Sequence, residues 1–210
     1  MRAFETEKTE VAEIDRSVYD IKDKVNAAFE VNSGLTAEIV EQISKEKHDP
    51  DWMREFRLKA LDIYNKASIP NWGPSLEGLD MRNIVTYVRP NTEMRGKWSE
   101  VPDDIKNTFE RLGIPQAERS SLAGVGAQYD SEVVYHNVKE EVAAQGVVYT
   151  DMESALTGPY ADMVKEHFMK CVPPTDHKFA ALHGAVWSGG SFVYVPAGGP
   201  VGISLPPPLP

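Results

Sequence analysis

The chain has 210 residues, of which 41% are hydrophobic, enough for one domain with a hydrophobic core. Its formal net charge of −10 argues against non-specific nucleic-acid binding and against contact with anionic membrane surfaces, because both need a basic face. The single cysteine, Cys171, excludes an internal disulfide and a multi-cysteine metal site, which is typical of a reducing cytosol. We find neither the apolar segment of a secretory signal nor a run of about 18 apolar residues, and therefore expect a cytoplasmic protein.

The N-terminal segment, residues 1–34, is charged and weakly patterned, and we expect a polar arm with little structure. Regular structure is predicted to begin at Leu35. Thr36 is a suitable N-cap for a first helix, and Leu35 can pack on Val40 one turn later, in the hydrophobic-staple pattern.

A second helix is predicted to follow Asp49, with Asp49 as its cap and Pro50 in its first turn, where the missing N–H costs nothing. Three basic residues of this helix, Arg54, Arg57 and Lys59, fall largely outside its apolar face. We therefore expect them to be solvated rather than to form a binding patch.

Short elements are predicted along the middle of the chain, between proline- and glycine-rich breaks. They are an extended connector at 68–80 with Trp72 held against the helices, strands at 84–88, 133–135 and 147–149, and helices at 102–112 (ended by Gly113), at 115–121, after Asn137, after Asp151 and after Pro159.

The stretch 177–196 predicts a helix, a tight turn and a strand in that order. Phe179, Leu182 and Val186 share one helical face, and the paired glycines of 188–191 break the helix. The aromatic and β-branched residues 192–195 then predict a strand, which Pro196 ends.

This order of helices and short strands predicts an α+β fold, since its segments are too short for a doubly wound sheet. We expect an α+β N-terminal domain at 35–186, a strand segment at 187–196 and an irregular tail rich in proline and glycine at 197–210.

Two glycine-containing motifs are weak candidates for phosphate binding. Residues 124–129, GVGAQY, begin like G-x-G-x-x-G, but Tyr129 replaces the third glycine and no long strand precedes them. Residues 188–191, SGGS, follow a helix instead of opening one, so they do not present helix N-terminal N–H groups to an anion. We interpret the second motif as a turn.

The remaining reactive side chains form no catalytic pattern. The five histidines contain no H-E-x-x-H and no pair four residues apart, so polar or capping roles are favoured over metal binding. Cys171 is a lone cysteine before two prolines, which is more often structural than reactive, and no G-x-S-x-G is present. We therefore predict no catalytic, cofactor-binding or metal-ligating residue in this chain, and a protein that is not an enzyme.

Four stretches in order resemble the N-terminal part of SufB-like proteins, the scaffold subunits of the SUF iron–sulfur cluster assembly machinery. They are residues 51–61 (DWMREFRLKAL), 69–73 (IPNWG), 122–137 (LAGVGAQYDSEVVYHN) and 179–196 (FAALHGAVWSGGSFVYVP). The resemblance extends from about Leu35 to Pro196.

The resemblance implies an N-terminal α+β region that leads into a right-handed parallel β-helix, with residues 192–195 as its first strand. It implies a SufC-like ATPase, a SufD-like subunit and a cysteine desulfurase system as partners, and an iron–sulfur cluster, with reduced flavin in some systems, in the complete complex. The family residues for sulfur acceptance and cluster assembly lie in later regions, so none is carried over here and Cys171 is left unassigned.

The sequence departs from the family pattern at Ala197, as a change of reading frame or a shortened chain would make it do. On this interpretation the β-helix is truncated, and residues 187–210 lack their usual cover and are prone to disorder or aggregation. Three hypotheses stay open: an N-terminal scaffold fragment not competent alone, an acidic interaction module that docks to a SUF partner or sulfur donor, and, with least support, an independent enzyme.

Overall fold

A computed structural model describes residues 27–73, 75–111, 124–138 and 140–198. Within them the chain forms seven α-helices, two short 3₁₀ helices (Met81–Asn83 and Trp98–Glu100) and six short strands. The helices are α1 Ala37–Glu46, α2 Asp51–Lys66, α3 Asp103–Arg111, α4 Glu140–Ala143, α5 Met152–Thr157, α6 Ala161–His167 and α7 Lys178–Val186. The strands are β1 Ala27–Glu30, β2 Val88–Pro90, β3 Gly124–Tyr129, β4 Glu132–Val138, β5 Val148–Asp151 and β6 Ser191–Tyr194.

The strands pair as three separate antiparallel ladders: β1 with β2, β3 with β4, and β5 with β6. This arrangement of helices and small strand pairs confirms the predicted α+β class. The described strands show no parallel β-helix, since β6 pairs antiparallel with β5. No described helix is both long and apolar enough to cross a membrane.

The first helical layer consists of α1, α2 and α7. The hydroxyl of Thr36 accepts a hydrogen bond from the Ile39 N–H at 3.3 Å, which confirms the predicted cap, and Leu35 packs on the cluster that contains Val40. Helix α2 begins one residue later than predicted, with Pro50 as its N-cap. The Asp49 carboxylate instead accepts a hydrogen bond from Arg57.

Helix α7 packs on α2 through small residues. Its buried residues are Ala180, Ala181, Gly184 and Ala185, whereas the predicted face of Phe179, Leu182 and Val186 is only partly buried. A Cβ placed on Gly184 would lie 3.0 Å from the Cβ of Ala60, so glycine is what permits this close approach. The prediction of the apolar face was wrong because it gave weight to large side chains.

Two further clusters complete the core. Helix α3 covers the β3–β4 pair through Ile105, Phe109 and Val134. Helices α5 and α6 place Leu156 and Val164 against Met53 of α2 and against Trp187, and Phe192 of β6 packs on the edge of this cluster. Trp187 therefore joins α5 and α6 to the first layer.

Several local predictions differ from the structure. Trp72 is 72% exposed instead of held against helices, although its ring meets that of His177 edge-on with centroids 5.6 Å apart. The strand predicted at 84–88 is β2, displaced toward Pro90, and Asn137 lies in β4 instead of capping a helix. Residues 124–129 are themselves a strand, β3. The predicted helix end at Gly113 and the helix at 115–121 lie outside the described residues.

The two ends of the described chain also carry structure. Residues 27–30, within the segment predicted as a polar arm, form β1, and Val31 is buried. At the other end, β6 has the partner strand that we did not expect, yet Val193 and Val195 keep 45% and 40% of their surface exposed.

Candidate functional site

A buried ion pair joins the start of α2 to the end of α7. The Nε of Arg57 lies 2.6 Å from Oδ2 of Asp49, and these side chains are 0% and 1% exposed. Nη1 of Arg57 donates to the carbonyl of Trp187 at 2.8 Å, and the guanidinium lies 4.7 Å from the centroid of the Trp187 ring. The prediction that Arg57 is solvated was therefore wrong.

A second buried charge lies at the end of α1. The Nζ of Lys47, whose side chain is 3% exposed, is 2.8 Å from Glu132 of β4 and 2.7 Å from Glu153 of α5. The hydroxyl of Tyr87 donates to the Glu132 carboxylate. Burial raises the pKa of Tyr87, and the hydrogen bond to Glu132 and its charge add to that rise, so the phenol remains a neutral donor. We refer to Lys47, Tyr87, Glu132 and Glu153 as the Lys47 network.

The Lys47 network extends to the turn before β6. Oε1 of Glu153 accepts a hydrogen bond from the N–H of Gly189 at 2.8 Å. Gly189 and Gly190 have φ of +66° and +110°, which confirms the predicted turn and explains its glycines. The N–H that this turn presents, that of Gly189, follows a helix and binds a carboxylate of this chain.

An open cleft of about 340 Å³ lies over the Lys47 network. Its lining contains five carboxylates, those of Glu46, Glu93, Glu132, Asp151 and Glu153, and fewer basic groups, Lys47 and Arg89 among them. Oδ1 of Asp151 caps α5 by accepting from the Ser154 N–H at 2.8 Å, which confirms its predicted capping role. The cleft is thus an acidic surface whose floor is held by internal ion pairs.

Cys171 is exposed and borders a separate hollow of about 460 Å³ with His167, His177 and His183. Nδ1 of His177 accepts from the N–H groups of Phe179 and Ala180, at 3.1 and 3.2 Å, so His177 caps α7 as the capping interpretation predicts. Across the described residues, no group of three or more His, Cys, Asp or Glu side chains is placed to hold a metal ion.

The ring of His136 in β4 contacts the Tyr149 ring at an interplanar angle of 49°, with centroids 4.6 Å apart. Its Nε2 is buried and has no hydrogen-bond partner among the residues that the structure describes. Burial lowers the pKa of His136, and the Asp151 charge opposes that shift. His136 is therefore mainly neutral at pH 7.

Sequence patterns did not reveal the Lys47 network or the Arg57–Asp49 pair. The partners of each charge come from distant parts of the chain: Lys47 and Glu132 are 85 positions apart, and Arg57 and Trp187 are 130 apart. The available signals were indirect: a basic residue just after α1, Lys47, and a carboxylate two residues before α2, Asp49.

The fold and site together define an α+β module of short strand pairs, clamped by buried charges and bearing an acidic cleft. Residues 36–204 match the family model of the SufBD protein N-terminal region, so the chain belongs to the SufBD family. This confirms the resemblance. The match also continues past Ala197, so the expectation that the family pattern ends there was wrong.

Curated relatives support the same assignment. The chain is 52% identical over 180 residues to the iron–sulfur cluster assembly protein SufB of Bacillus subtilis, covering 86% of this chain and 38% of that protein. It is 49% identical over 178 residues to a SufBD family protein of Staphylococcus haemolyticus (85% of this chain, 38% of the relative). It is 45% identical over 201 residues to a SufBD family protein of Mycobacterium tuberculosis, which covers 95% of this chain and 24% of the relative. The chain thus spans less than two fifths of the length of these relatives.

Proposed function

We propose that this chain supplies the N-terminal module of an iron–sulfur cluster assembly scaffold. The observation that carries the proposal is the SufBD N-terminal match over residues 36–204, together with 52% identity to a protein named for iron–sulfur cluster assembly. The module acts as structure and not as an enzyme, and residues that bind the cluster or accept sulfur belong to later regions of the complete scaffold.

The packing suggests how the module serves a scaffold. Helices α1, α2 and α7 form a base held by the buried Arg57–Asp49 pair, and the Gly189–Gly190 turn leads from α7 into β6. Among the described strands β6 pairs with β5 alone, which leaves its other edge open. We propose that β6 is the first strand of a right-handed parallel β-helix, whose coils bury their apolar faces against one another. The domain division at 35–186 and 187–196 follows from this proposal.

The partners are proposed on family grounds. They are a SufC-like ATPase, a SufD-like subunit and a sulfur-donating desulfurase system in the cytoplasm, with the cluster, and reduced flavin in some systems, held by the assembled complex. Neither nucleic acid nor a membrane is a partner, because the chain carries a net charge of −10.

A chimera tests the module function directly. Residues 36–196 of this chain replace the matching region of Bacillus subtilis SufB in cells depleted of their own SufB. We expect the activity of iron–sulfur enzymes to return. The control chimera carries Arg57→Met, which removes the buried ion pair. A chimera that accumulates as folded protein to the level of native SufB yet restores no activity would refute the proposal.

Reconstitution of this chain alone with iron and sulfide tests whether the ligands of the iron–sulfur cluster lie in this module or in later regions of the scaffold. We expect no stoichiometric cluster absorbance, because no described group of side chains is arranged to hold a metal. A stoichiometric cluster that a Cys171→Ser variant cannot form would place a ligand in this module and overturn that part of the proposal.

The acidic cleft favours a second candidate, an interaction module that docks to a SUF partner or sulfur donor through its carboxylates. Calorimetry against each purified partner would then show saturable binding that weakens with added salt. Glu93→Gln in the cleft should weaken that binding, while the matched Glu41→Gln on the exposed side of α1 should not. Absence of saturable binding at low salt would exclude this candidate.

A further inference from the structure

We propose that the ion pairs of Lys47 with Glu132 and Glu153, here called the charge latch, hold the Gly189–Gly190 turn and the open edge of β6 in place. When these ion pairs break, which we call opening of the latch, the turn and β6 are released while helices α1, α2 and α7, the helical base, stay folded. The inference concerns conformation and stands whether or not the chain serves cluster assembly.

The Lys47 cation is what keeps the two carboxylates together. Glu132 and Glu153 approach the same Nζ from different elements, β4 and α5, and their side chains are only 22% and 21% exposed. Without the cation the two carboxylates repel each other in a poorly solvated place. Glu153 borders the open cleft, so it has room to turn toward water when the cation is lost.

Release of Glu153 acts directly on the turn. The Gly189 N–H donates to Glu153, and the Gly190 carbonyl accepts from the Met152 N–H at 3.1 Å, so the start of α5 holds the turn on both sides. The side chain of Gln128 closes a third side, since a Cβ on Gly189 would lie 2.6 Å from its Oε1. Strand β6 begins directly after the turn and follows its position.

The helical base is fixed by other contacts. Arg57 holds the Trp187 carbonyl and the Asp49 carboxylate, and Trp187 is buried against Met53. These contacts end two residues before Gly189. Opening of the latch is therefore confined to the turn and the strand that follows it.

Amide hydrogen exchange on the full chain tests the latch. Lys47→Met removes the cation with little change in length, and Lys45→Met, on the exposed side of the same helix, is the matched control. In Lys47→Met we expect the charge-assisted hydrogen bond from the Gly189 N–H to Glu153 to be lost. The amides of 189–194 should then exchange about 10- to 100-fold faster than in the parent chain. Exchange in α2 and α7 should stay within about twofold of the parent chain.

A rescue variant separates a latch from a general loss of stability. Adding Glu132→Gln to Lys47→Met removes the repulsion and should restore most of the protection at 189–194. If Lys47→Met does not fold, Glu153→Met replaces it, because it removes the acceptor of the Gly189 N–H, with the same expected location of faster exchange. Faster exchange throughout α2 and α7, or unchanged exchange at 189–194, would overturn the proposal.

Discussion

Removing the Arg57 guanidinium should destabilise the fold more than any loss of an exposed charge. Arg57→Met keeps most of the side-chain length beneath the Trp187 ring but leaves the Asp49 carboxylate, 1% exposed, without its counter-ion. Breaking a buried pair from one side costs about 3–5 kcal/mol. The Trp187 carbonyl also loses its 2.8 Å donor, so we expect a loss near the upper end of that range.

Urea unfolding followed by far-ultraviolet circular dichroism measures this loss through the extrapolated free energy of unfolding. The matched control is Arg54→Met on the same helix, whose pair with Glu41 joins side chains that are 47% and 53% exposed. That pair should contribute at most about 1 kcal/mol. Adding Asp49→Asn to Arg57→Met removes the unpaired charge and should recover part of the loss. If Arg57→Met costs no more than Arg54→Met, the assignment of the ion pair as a clamp is wrong.

Three further predictions concern single positions. Thr36→Ala removes the cap of α1 and should cost about 1 kcal/mol in urea unfolding, with Thr36→Ser close to the parent chain. Gly184→Val places new atoms against the Cβ of Ala60 and should lower the free energy of unfolding by at least about 1–3 kcal/mol. A smaller decrease would mean that α7 can shift away from α2. Burial lowers the pKa of His136 in the folded chain, so as pH falls the unfolded chain takes up the imidazole proton before the folded chain does. The free energy of unfolding should therefore decrease as pH drops below about 6.5. His136→Phe should flatten that fall in pH-dependent thermal melts, and an unchanged pH profile would contradict this.

The predictions that the structure confirms depend on interactions between residues that are close in sequence. The Thr36 cap, the Asp151 cap and the glycine turn each depend on residues within three or four positions, and the structure contains all of them. The α+β class followed from the same local signals, since short strands between helices leave few other arrangements.

The errors arose where long-range contacts override local pattern. A helical-wheel argument places Arg57 outside the apolar face, but Asp49 and the Trp187 carbonyl meet it there and make its burial favourable. The close packing of α7 likewise depends on the Cβ of Ala60, far away in sequence. The Lys47 network joins three elements, and the residue spacing within each of them does not predict the contacts between them.

The exposed edge of β6 leads to a last prediction, about self-association. Val193 is 45% exposed and borders an apolar groove of about 450 Å³ that also contains Met163 and Phe168. An open strand edge beside apolar surface favours pairing between chains, and a charge at that edge opposes it.

Val193→Lys should therefore lower the self-associated fraction in concentration-dependent sedimentation, while the free energy of unfolding changes by no more than about 0.5 kcal/mol. Val172→Lys is the matched control, because Val172 is 53% exposed but lies in the bend before Pro173, away from any strand. Both changes add the same charge and remove a similar exposed side chain. If they reduce association equally, net charge is the cause. A reduction specific to Val193→Lys would show that chains associate through the β6 edge, the surface that we propose continues into the scaffold.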